Sequence, residues 1–181
     1  MALDKNFNIV LIGMPASGKS TMGVLLARYI GFDFVDLDIL IQTGEKRSLQ
    51  EIITEQGMEA FLRMEEEYLI RADYSGFVIA PGGSAVYSAR GMAHLAEKGI
   101  MVYLKLGLEH LEKRLLSLDA RGVVRSPDQD IKALFAGRKP LYEKYADITI
   151  ECDNLSLDQM VSALKKELSS GIKIIKGEKN E

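Results

Sequence analysis

A glycine-rich segment, residues 13–20, carries the clearest chemical signal in the chain. It reads Gly-Met-Pro-Ala-Ser-Gly-Lys-Ser, follows an apolar run and leads into a helical pattern, as a Walker A loop does. The glycines let successive backbone N–H groups point at an anion, and the new helix adds the positive end of its dipole. Lys19 is expected to reach the β- and γ-phosphates of a nucleoside triphosphate, and the Ser20 hydroxyl to coordinate Mg²⁺. The nucleotide-binding residues predicted in this segment are Gly13, Ala16, Ser17, Gly18, Lys19, Ser20 and Thr21.

Two acidic residues, Asp36 and Asp38, stand at the end of the second apolar run. Residues at the carboxyl ends of parallel strands face the ligand crevice, and alternation along an extended strand puts both carboxylates on one face. One carboxylate could hold a metal-bound water, and the other could accept the proton of an attacking hydroxyl. The alternative is a helix cap, because a helical run follows Asp38.

Residues 78–84, Val-Ile-Ala-Pro-Gly-Gly-Ser, predict a strand that runs into a turn. Gly82 and Gly83 would expose backbone N–H groups to a substrate or phosphate, although a plain strand-to-helix turn explains them equally well. Three arginines, Arg114, Arg121 and Arg138, stand near irregular segments. Guanidinium groups suit the charge of a transferring phosphoryl group or a substrate carboxylate, whereas solvated helix faces are the ordinary alternative.

The Walker A loop does not specify where the phosphate goes, so a kinase, a GTPase and a motor all remain open. The chain contains no guanine-specifying Asn-Lys-x-Asp motif, which favours transfer to a small acceptor. His94, His110 and Cys152 are interpreted as structural, because neither histidine has a second ligand at metal-binding spacing.

Short apolar runs alternate with helical patterns along the whole chain, which predicts an α/β fold with a parallel sheet covered by helices. The predicted strands are 8–12, 32–36, 77–80, 100–106 and 148–151, and helices are predicted to begin near Gly18, Ser48, Ser88, Leu108, Asp128 and Ser156. Two segments interrupt the alternation: a long helical insertion, residues 39–74, and an irregular segment, residues 118–130, with the composition of a lid.

The length of 181 residues fits one domain, predicted over residues 1–170, with a frayed or disordered tail at 171–181. The net charge of −3 provides no positive field for nucleic acid or an anionic membrane. The first residues do not form a secretion signal, and a cytoplasmic, monomeric protein is expected.

Taken together, these residues resemble the shikimate kinase family from about Asn8 to Leu168. The shared order runs from the Walker A loop through Asp36-x-Asp38, Gly44, Gly57, Phe61, Glu65, Gly82-Gly83, Arg114, Arg121 and Arg138-x-Pro140-x-Tyr142 to Ala146-Asp147. The resemblance implies a P-loop fold with a five-stranded parallel sheet, ATP, Mg²⁺ and a small hydroxy-acid acceptor, with shikimate as the first choice and aromatic amino-acid biosynthesis as the pathway.

The resemblance also implies roles for individual residues. Asp38 would contact the acceptor hydroxyl, Asp36 would serve the metal, and Arg138 would bind the acceptor carboxylate. Arg114 would lie at the adenine, and Arg121 would act from the lid; with Lys19 and Asp38 it completes the predicted catalytic set.

Three departures from the family pattern concern the acceptor and the lid. The pattern Gly-Glu-x-x-Phe-Arg places an acceptor-binding arginine directly after the phenylalanine, but here Leu62 follows Phe61 and the arginine is Arg63. One helical residue is a rotation of about 100°, so Arg63 replaces that arginine only with a local change of register. A triple glycine becomes Pro81-Gly82-Gly83, which removes one backbone donor, and the lid's Arg-Pro becomes Arg121-Gly122.

The loss of one carboxylate-binding arginine leaves other acceptors open. A homoserine-type or gluconate-type kinase on the same scaffold is the first alternative, and a non-catalytic ATP-binding regulator is the second. The retained Lys19, Ser20, Asp36 and Asp38 count against the regulator.

Overall fold

Five parallel strands form the sheet at the centre of the computed structural model, which describes residues 5–116 and 131–177. The strands are β1 (Asn8–Ile12), β2 (Asp33–Asp36), β3 (Phe77–Ala80), β4 (Gly99–Lys105) and β5 (Ile148–Glu151). Their order across the sheet is β2-β3-β1-β4-β5. All five residues of β1 are buried, as expected of a central parallel strand with both faces covered. The predicted α/β fold with a five-stranded parallel sheet is therefore confirmed.

Eight helices and one short 3₁₀ turn lie between and around the strands of the described residues. The helices are α1 (Lys19–Ile30), α2 (Leu37–Glu45), α3 (Leu49–Gln56), α4 (Met58–Arg71), α5 (Ala89–Glu97), α6 (Leu108–Leu116), α7 (Ile131–Tyr145) and α8 (Leu157–Gly177), and the 3₁₀ turn is Ala85–Tyr87. Because all strands are parallel, their carboxyl ends meet at one edge of the sheet, where the following loops converge.

The long insertion folds into α2, α3 and α4. A capping box begins α3, in which the Ser48 side chain accepts from the Glu51 backbone N–H and the Glu51 side chain accepts from the Ser48 backbone N–H. The three helices bury a small apolar cluster of their own, separate from the main core, formed by Ile41, Leu49, Ile52, Ile53 and Phe61. We call this group the insertion cluster.

The structure corrects the prediction that Asp36 and Asp38 alternate along one extended strand. The strand β2 ends at Asp36, and α2 begins at Leu37, so Asp38 lies in the first helical turn. Asp36 is the N-cap of α2, because its Oδ1 accepts from the backbone N–H groups of Asp38 at 3.0 Å and Ile39 at 3.3 Å. Because this carboxylate satisfies two helix donors, α2 begins directly after Asp36, where alternation would continue the extended backbone to Asp38.

The predicted disordered tail, residues 171–181, is also corrected in part. The helix α8 continues to Gly177, because an isolated glycine such as Gly171 costs a helix only about 1 kcal/mol and no proline follows. The predicted lid, residues 118–130, lies outside the described residues.

Among residues 5–116 and 131–177, no helix combines the length and apolar character needed to cross a bilayer.

Candidate active site

The Walker A segment forms a tight loop between β1 and α1. Gly18, with φ +98°, lies in the left-handed region at the N-cap of α1, a conformation that favours glycine. The Lys19 ammonium group donates to the backbone carbonyls of Gly13 at 3.0 Å and Met14 at 3.1 Å. Burial lowers the pKa of Lys19, and the carboxylates of Asp38 and Asp36 oppose that shift. The loop therefore surrounds a buried cation at the start of a helix, which is an arrangement suited to phosphate oxygens.

Asp36 joins the Walker A helix to the second strand. The Ser20 hydroxyl donates to Asp36 Oδ2 at 2.5 Å, while the other oxygen of Asp36 caps α2. A hydroxyl and a carboxylate oxygen are hard oxygen ligands of the kind that Mg²⁺ takes. The pair therefore fits a magnesium site beside the phosphate loop.

Asp38 faces the same cleft from the first turn of α2. Its burial raises the pKa of the carboxyl group to about 6, with Asp36 adding to the shift while Lys19 and Arg138 oppose it. A carboxyl group with a pKa near neutrality can exchange protons readily, which suits a general base.

The turn after β3 approaches other groups of the site closely. A Cβ atom on Gly82 would collide with carboxylate oxygens of both Glu65 and Asp38. On Gly83 it would lie 3.1 Å from Arg138 Nη1 and 3.0 Å from Pro15, and the Gly83 carbonyl accepts a 2.7 Å hydrogen bond from the Tyr142 hydroxyl. Larger residues would be crowded at these positions, because the phosphate loop, α2, α4 and α7 all contact the turn.

Arg138 reaches the cleft from α7 and is only 3% exposed. Its Nε donates to the Tyr87 hydroxyl at 3.3 Å, and its guanidinium carbon lies 5.2 Å from the centre of the Tyr87 ring. These contacts fix the plane of a buried cation, so that its remaining donors can meet a planar anion such as a carboxylate.

Glu65, on α4, is a second buried carboxyl group, which lies behind the cleft wall on the same side of Gly82 as Asp38. It is 3% exposed, and its Oε1 has no hydrogen-bond partner. Burial raises the pKa of Glu65 to about 7, although the hydrogen bond with the Ser84 side chain lowers it and the nearby Asp38 raises it.

The phosphate loop, Asp36, Asp38, Gly83 and Arg138 line one cleft of about 850 Å³, a volume that can hold a nucleotide and a small acceptor side by side. Arg114 stands over the phosphate loop, where its Nη1 donates to the carbonyls of Ser17 at 3.3 Å and Ala16 at 3.4 Å. The cleft residues predicted from the sequence are Ala16, Gly18, Lys19, Ser20, Thr21, Asp36, Asp38, Gly83, Arg114 and Arg138.

One predicted site residue, Arg63, is not brought into the cleft. Arg63 points away from it, with its side chain 67% exposed and paired with Glu59 one helical turn earlier. Arg121 lies outside the described residues. Gly13, Ser17 and Gly82 stand behind the lining: Ser17 is fully buried, and the Gly13 carbonyl accepts from Lys19.

Sequence reasoning missed several residues of the cleft walls. One group comes from α3 and its cap, and another from the loop after β5 and the first turn of α8; these are Ser48, Leu49, Gln50, Leu155, Leu157 and Met160. They belong to no recognisable motif and lie far along the chain from the phosphate loop, so the sequence does not connect them with it. Tyr87 and Tyr142, which hold Arg138 and Gly83, carried no signal beyond their places near the matching motifs.

The sequence is similar to those of known proteins over most of its length. The family model described as shikimate kinase matches residues 15–169. A shikimate kinase of Thermodesulfovibrio yellowstonii is 35% identical over 170 residues, covering 91% of this chain and 98% of the relative. One of Persephonella marina is 34% identical and covers 87% of this chain and 96% of the relative.

Solved structures give the same likeness. A shikimate kinase from Acinetobacter baumannii in complex with shikimate superposes with a TM-score of 0.80 at 26% identity, covering 97% of this chain and 96% of that one. A shikimate kinase from Aquifex aeolicus superposes with a TM-score of 0.74 at 28% identity, covering 91% of this chain and 98% of that one.

Proposed function

Because this chain belongs to the shikimate kinase family, we propose that it transfers the terminal phosphoryl group of ATP to a hydroxyl of shikimate. The product is shikimate 3-phosphate, and the reaction serves aromatic amino-acid biosynthesis. One observation supports this best: the proton-accepting Asp38 and the buried Arg138 line the same cleft as the phosphate loop. A base for a hydroxyl, a cation for a carboxylate and a phosphate cradle are the three parts that phosphorylation of a hydroxy acid needs.

On the acceptor side, Asp38 accepts the proton of the attacking hydroxyl as the new bond to phosphorus forms and ADP leaves. Arg138 binds the acceptor carboxylate and so fixes which hydroxyl faces the ATP. The backbone of Gly83 borders the acceptor. Gly82 lies directly behind it, where a Cβ would collide with Glu65 and Asp38.

On the nucleotide side, the loop N–H groups and Lys19 bind the phosphates, and Arg114 lies against the same loop. Ser20 and Asp36 would hold Mg²⁺, since their oxygens are neighbours in the cleft. The metal, when bound, would neutralise charge on the phosphates. Arg121 remains assigned to the lid and to the phosphoryl group being transferred.

The acceptor half of the site is reduced relative to the family pattern. Leu62 replaces the arginine of that pattern, and Arg63 pairs with Glu59 on the exposed face of α4. Among the cleft cations of residues 5–116 and 131–177, Arg138 alone is assigned to the acceptor carboxylate. We therefore expect a higher KM for shikimate than that of an enzyme with two such arginines.

The test is ADP release from purified protein with MgATP, with and without shikimate, and in parallel with homoserine and gluconate. Release that depends on shikimate supports the proposal. Release with another acceptor and none with shikimate would assign the site to a kinase of changed specificity. Tight ATP binding without release on any acceptor would favour a non-catalytic regulator.

We also propose that the protein acts as a cytoplasmic monomer. The single cysteine, Cys152, suits a reducing compartment and motivates the location. Light scattering coupled to size-exclusion chromatography tests the oligomeric state, and a mass near twice 20.1 kDa would contradict it.

A further inference from the structure

The buried carboxyl group of Glu65 has no charged partner of its own among the described residues; its one hydrogen bond is with the Ser84 side chain. Glu65 is 3% exposed, its Oε1 accepts no hydrogen bond, and no Lys or Arg among the described residues forms an ion pair with it. A buried ionised carboxylate without a cation is costly, and such a group usually gains a proton instead.

The surroundings of Glu65 add negative charge rather than removing it. Asp38 lies against the same side of Gly82, since a Cβ there would collide with both carboxyl groups. The charged groups that act on Glu65 are Asp38 on α2, Lys19 on α1 and Arg138 on α7, and Ser84 in the turn contributes an uncharged hydrogen bond. Lys19 and Arg138 are shared with Asp36 and Asp38, so they do not compensate Glu65 separately.

The neighbouring position on α4 supplies no cation. Leu62 stands three residues before Glu65, a spacing that puts two side chains side by side on a helix. Leu62 is half-buried and packs against the insertion cluster, while the nearby arginine, Arg63, is committed to Glu59.

We propose that Glu65 serves the reaction as a neutral carboxylic acid, and that loss of its proton opposes binding of the anionic acceptor. This inference rests on the proposed function, because it takes the acceptor to be a carboxylate held by Arg138. When Glu65 ionises, its proton leaves to solvent and the acceptor half of the cleft gains one negative charge beside the incoming anion. Glu65 does not touch the reacting atoms; it sets the pH range in which the acceptor binds.

The raised pKa of Glu65, about 7, places this change in an accessible range. The carboxylate of an acceptor such as shikimate is ionised throughout that range, because ordinary carboxyl groups titrate near pH 4. The KM for shikimate should therefore rise with pH, approaching a slope of about tenfold per unit above the pKa, while the KM for ATP does not follow.

The experiment is steady-state kinetics from about pH 6 to about pH 9 on the wild-type protein, Glu65→Gln and Glu67→Gln. Glu65→Gln keeps the shape of the side chain without the charge, and its KM for shikimate should stay within about twofold across the range. Glu67, on the exposed side of α4 and paired with Arg71, is the matched control and should retain the wild-type profile.

A second variant, Leu62→Arg, tests the same idea if Glu65→Gln fails to fold. An arginine at this position would pair with Glu65 and compensate its charge, so the rise of the KM with pH should again disappear. A wild-type KM for shikimate that does not change with pH, or an equal rise in Glu65→Gln, would overturn the inference while leaving shikimate phosphorylation intact. Absence of turnover with shikimate at every pH would overturn the proposed function and the inference with it.

Discussion

At the scale of single residues, the site places opposite charges close together and leaves few of them exposed. Lys19 and Arg138 are both buried, and both act on the carboxyl group of Asp38. In such a low-dielectric cleft, charges interact more strongly than they do on the surface. Removal of one charged side chain therefore shifts the pKa of the others.

Lys19→Ala should lower kcat at least about 100-fold, because it removes the buried cation from the phosphate loop. The kcat is measured with MgATP and shikimate. Lys132→Ala, on the exposed face of α7, is the control. A kcat within about threefold of the wild type would contradict the role of the loop.

Asp38→Asn should abolish phosphoryl transfer while leaving ATP affinity within about threefold, because the amide cannot accept the hydroxyl proton. Turnover and nucleotide titration are measured on the same preparation. Asp33→Asn makes the same chemical change at the exposed start of β2 and should leave both unchanged. Retained turnover in Asp38→Asn would remove the assigned base.

At the scale of elements, the turn after β3 is the junction of the site. It meets Pro15 of the phosphate loop, Glu65 of α4, and Arg138 and Tyr142 of α7. The sequence shows that this turn contains Gly82 and Gly83. It does not show why glycine is needed there, because the side chains that crowd the turn come from distant parts of the chain.

Tyr142→Phe should reduce the free energy of unfolding by about 0.5–1.5 kcal/mol, because the half-buried Gly83 carbonyl loses its donor. The KM for shikimate should rise as the turn loosens, with less effect on the KM for ATP. Urea denaturation and kinetics measure both changes. Tyr29→Phe is the control at a hydroxyl that is exposed, and an unchanged stability in Tyr142→Phe would contradict the bracing role.

The elements themselves could be predicted well, and their junctions could not. The strands β1, β3 and β5 have the predicted bounds, and the bounds of β2 and β4 differ by one residue, at one end and at both ends respectively. The two central strands among the three, β1 and β3, are apolar runs, which is the pattern of a strand covered on both faces. Asp38 was placed on a strand because alternation does not reveal that Asp36 caps a helix. The walls from α3 and from Leu155–Leu157 were missed, since only the fold brings distant segments to one cleft.

At the scale of the whole molecule, the two buried carboxyl groups at the cleft make the free energy of unfolding depend on pH. Both Glu65 and Asp38 have a raised pKa in the folded state. At a pH between the unfolded and the folded pKa of each group, the folded protein therefore binds more protons than the unfolded chain. The stability that this uptake provides is complete at low pH and is lost as the pH rises toward 7.

Glu65→Gln should therefore gain stability relative to the wild type between pH 5 and pH 8, by about 2 kcal/mol. At pH 8 the wild type retains a buried charge that the glutamine lacks, whereas at pH 5 both side chains are largely neutral. Urea denaturation at the two pH values measures the difference. A constant difference would show that Glu65 is ionised at both values, and Glu67→Gln should show no pH-dependent gain.

The small size of the insertion cluster should let α2, α3 and α4 unfold locally more readily than the central strand β1. Five buried side chains hold α2, α3 and α4 together, while β1 is sealed inside the main core. Local opening follows the amount of apolar burial, so the acceptor wall should come apart without global unfolding. Amide hydrogen exchange followed by mass spectrometry should find α3 exchanging well before β1, and shikimate should slow α3 selectively. Equal protection of α3 and β1 would mean that the two halves of the cleft open only together.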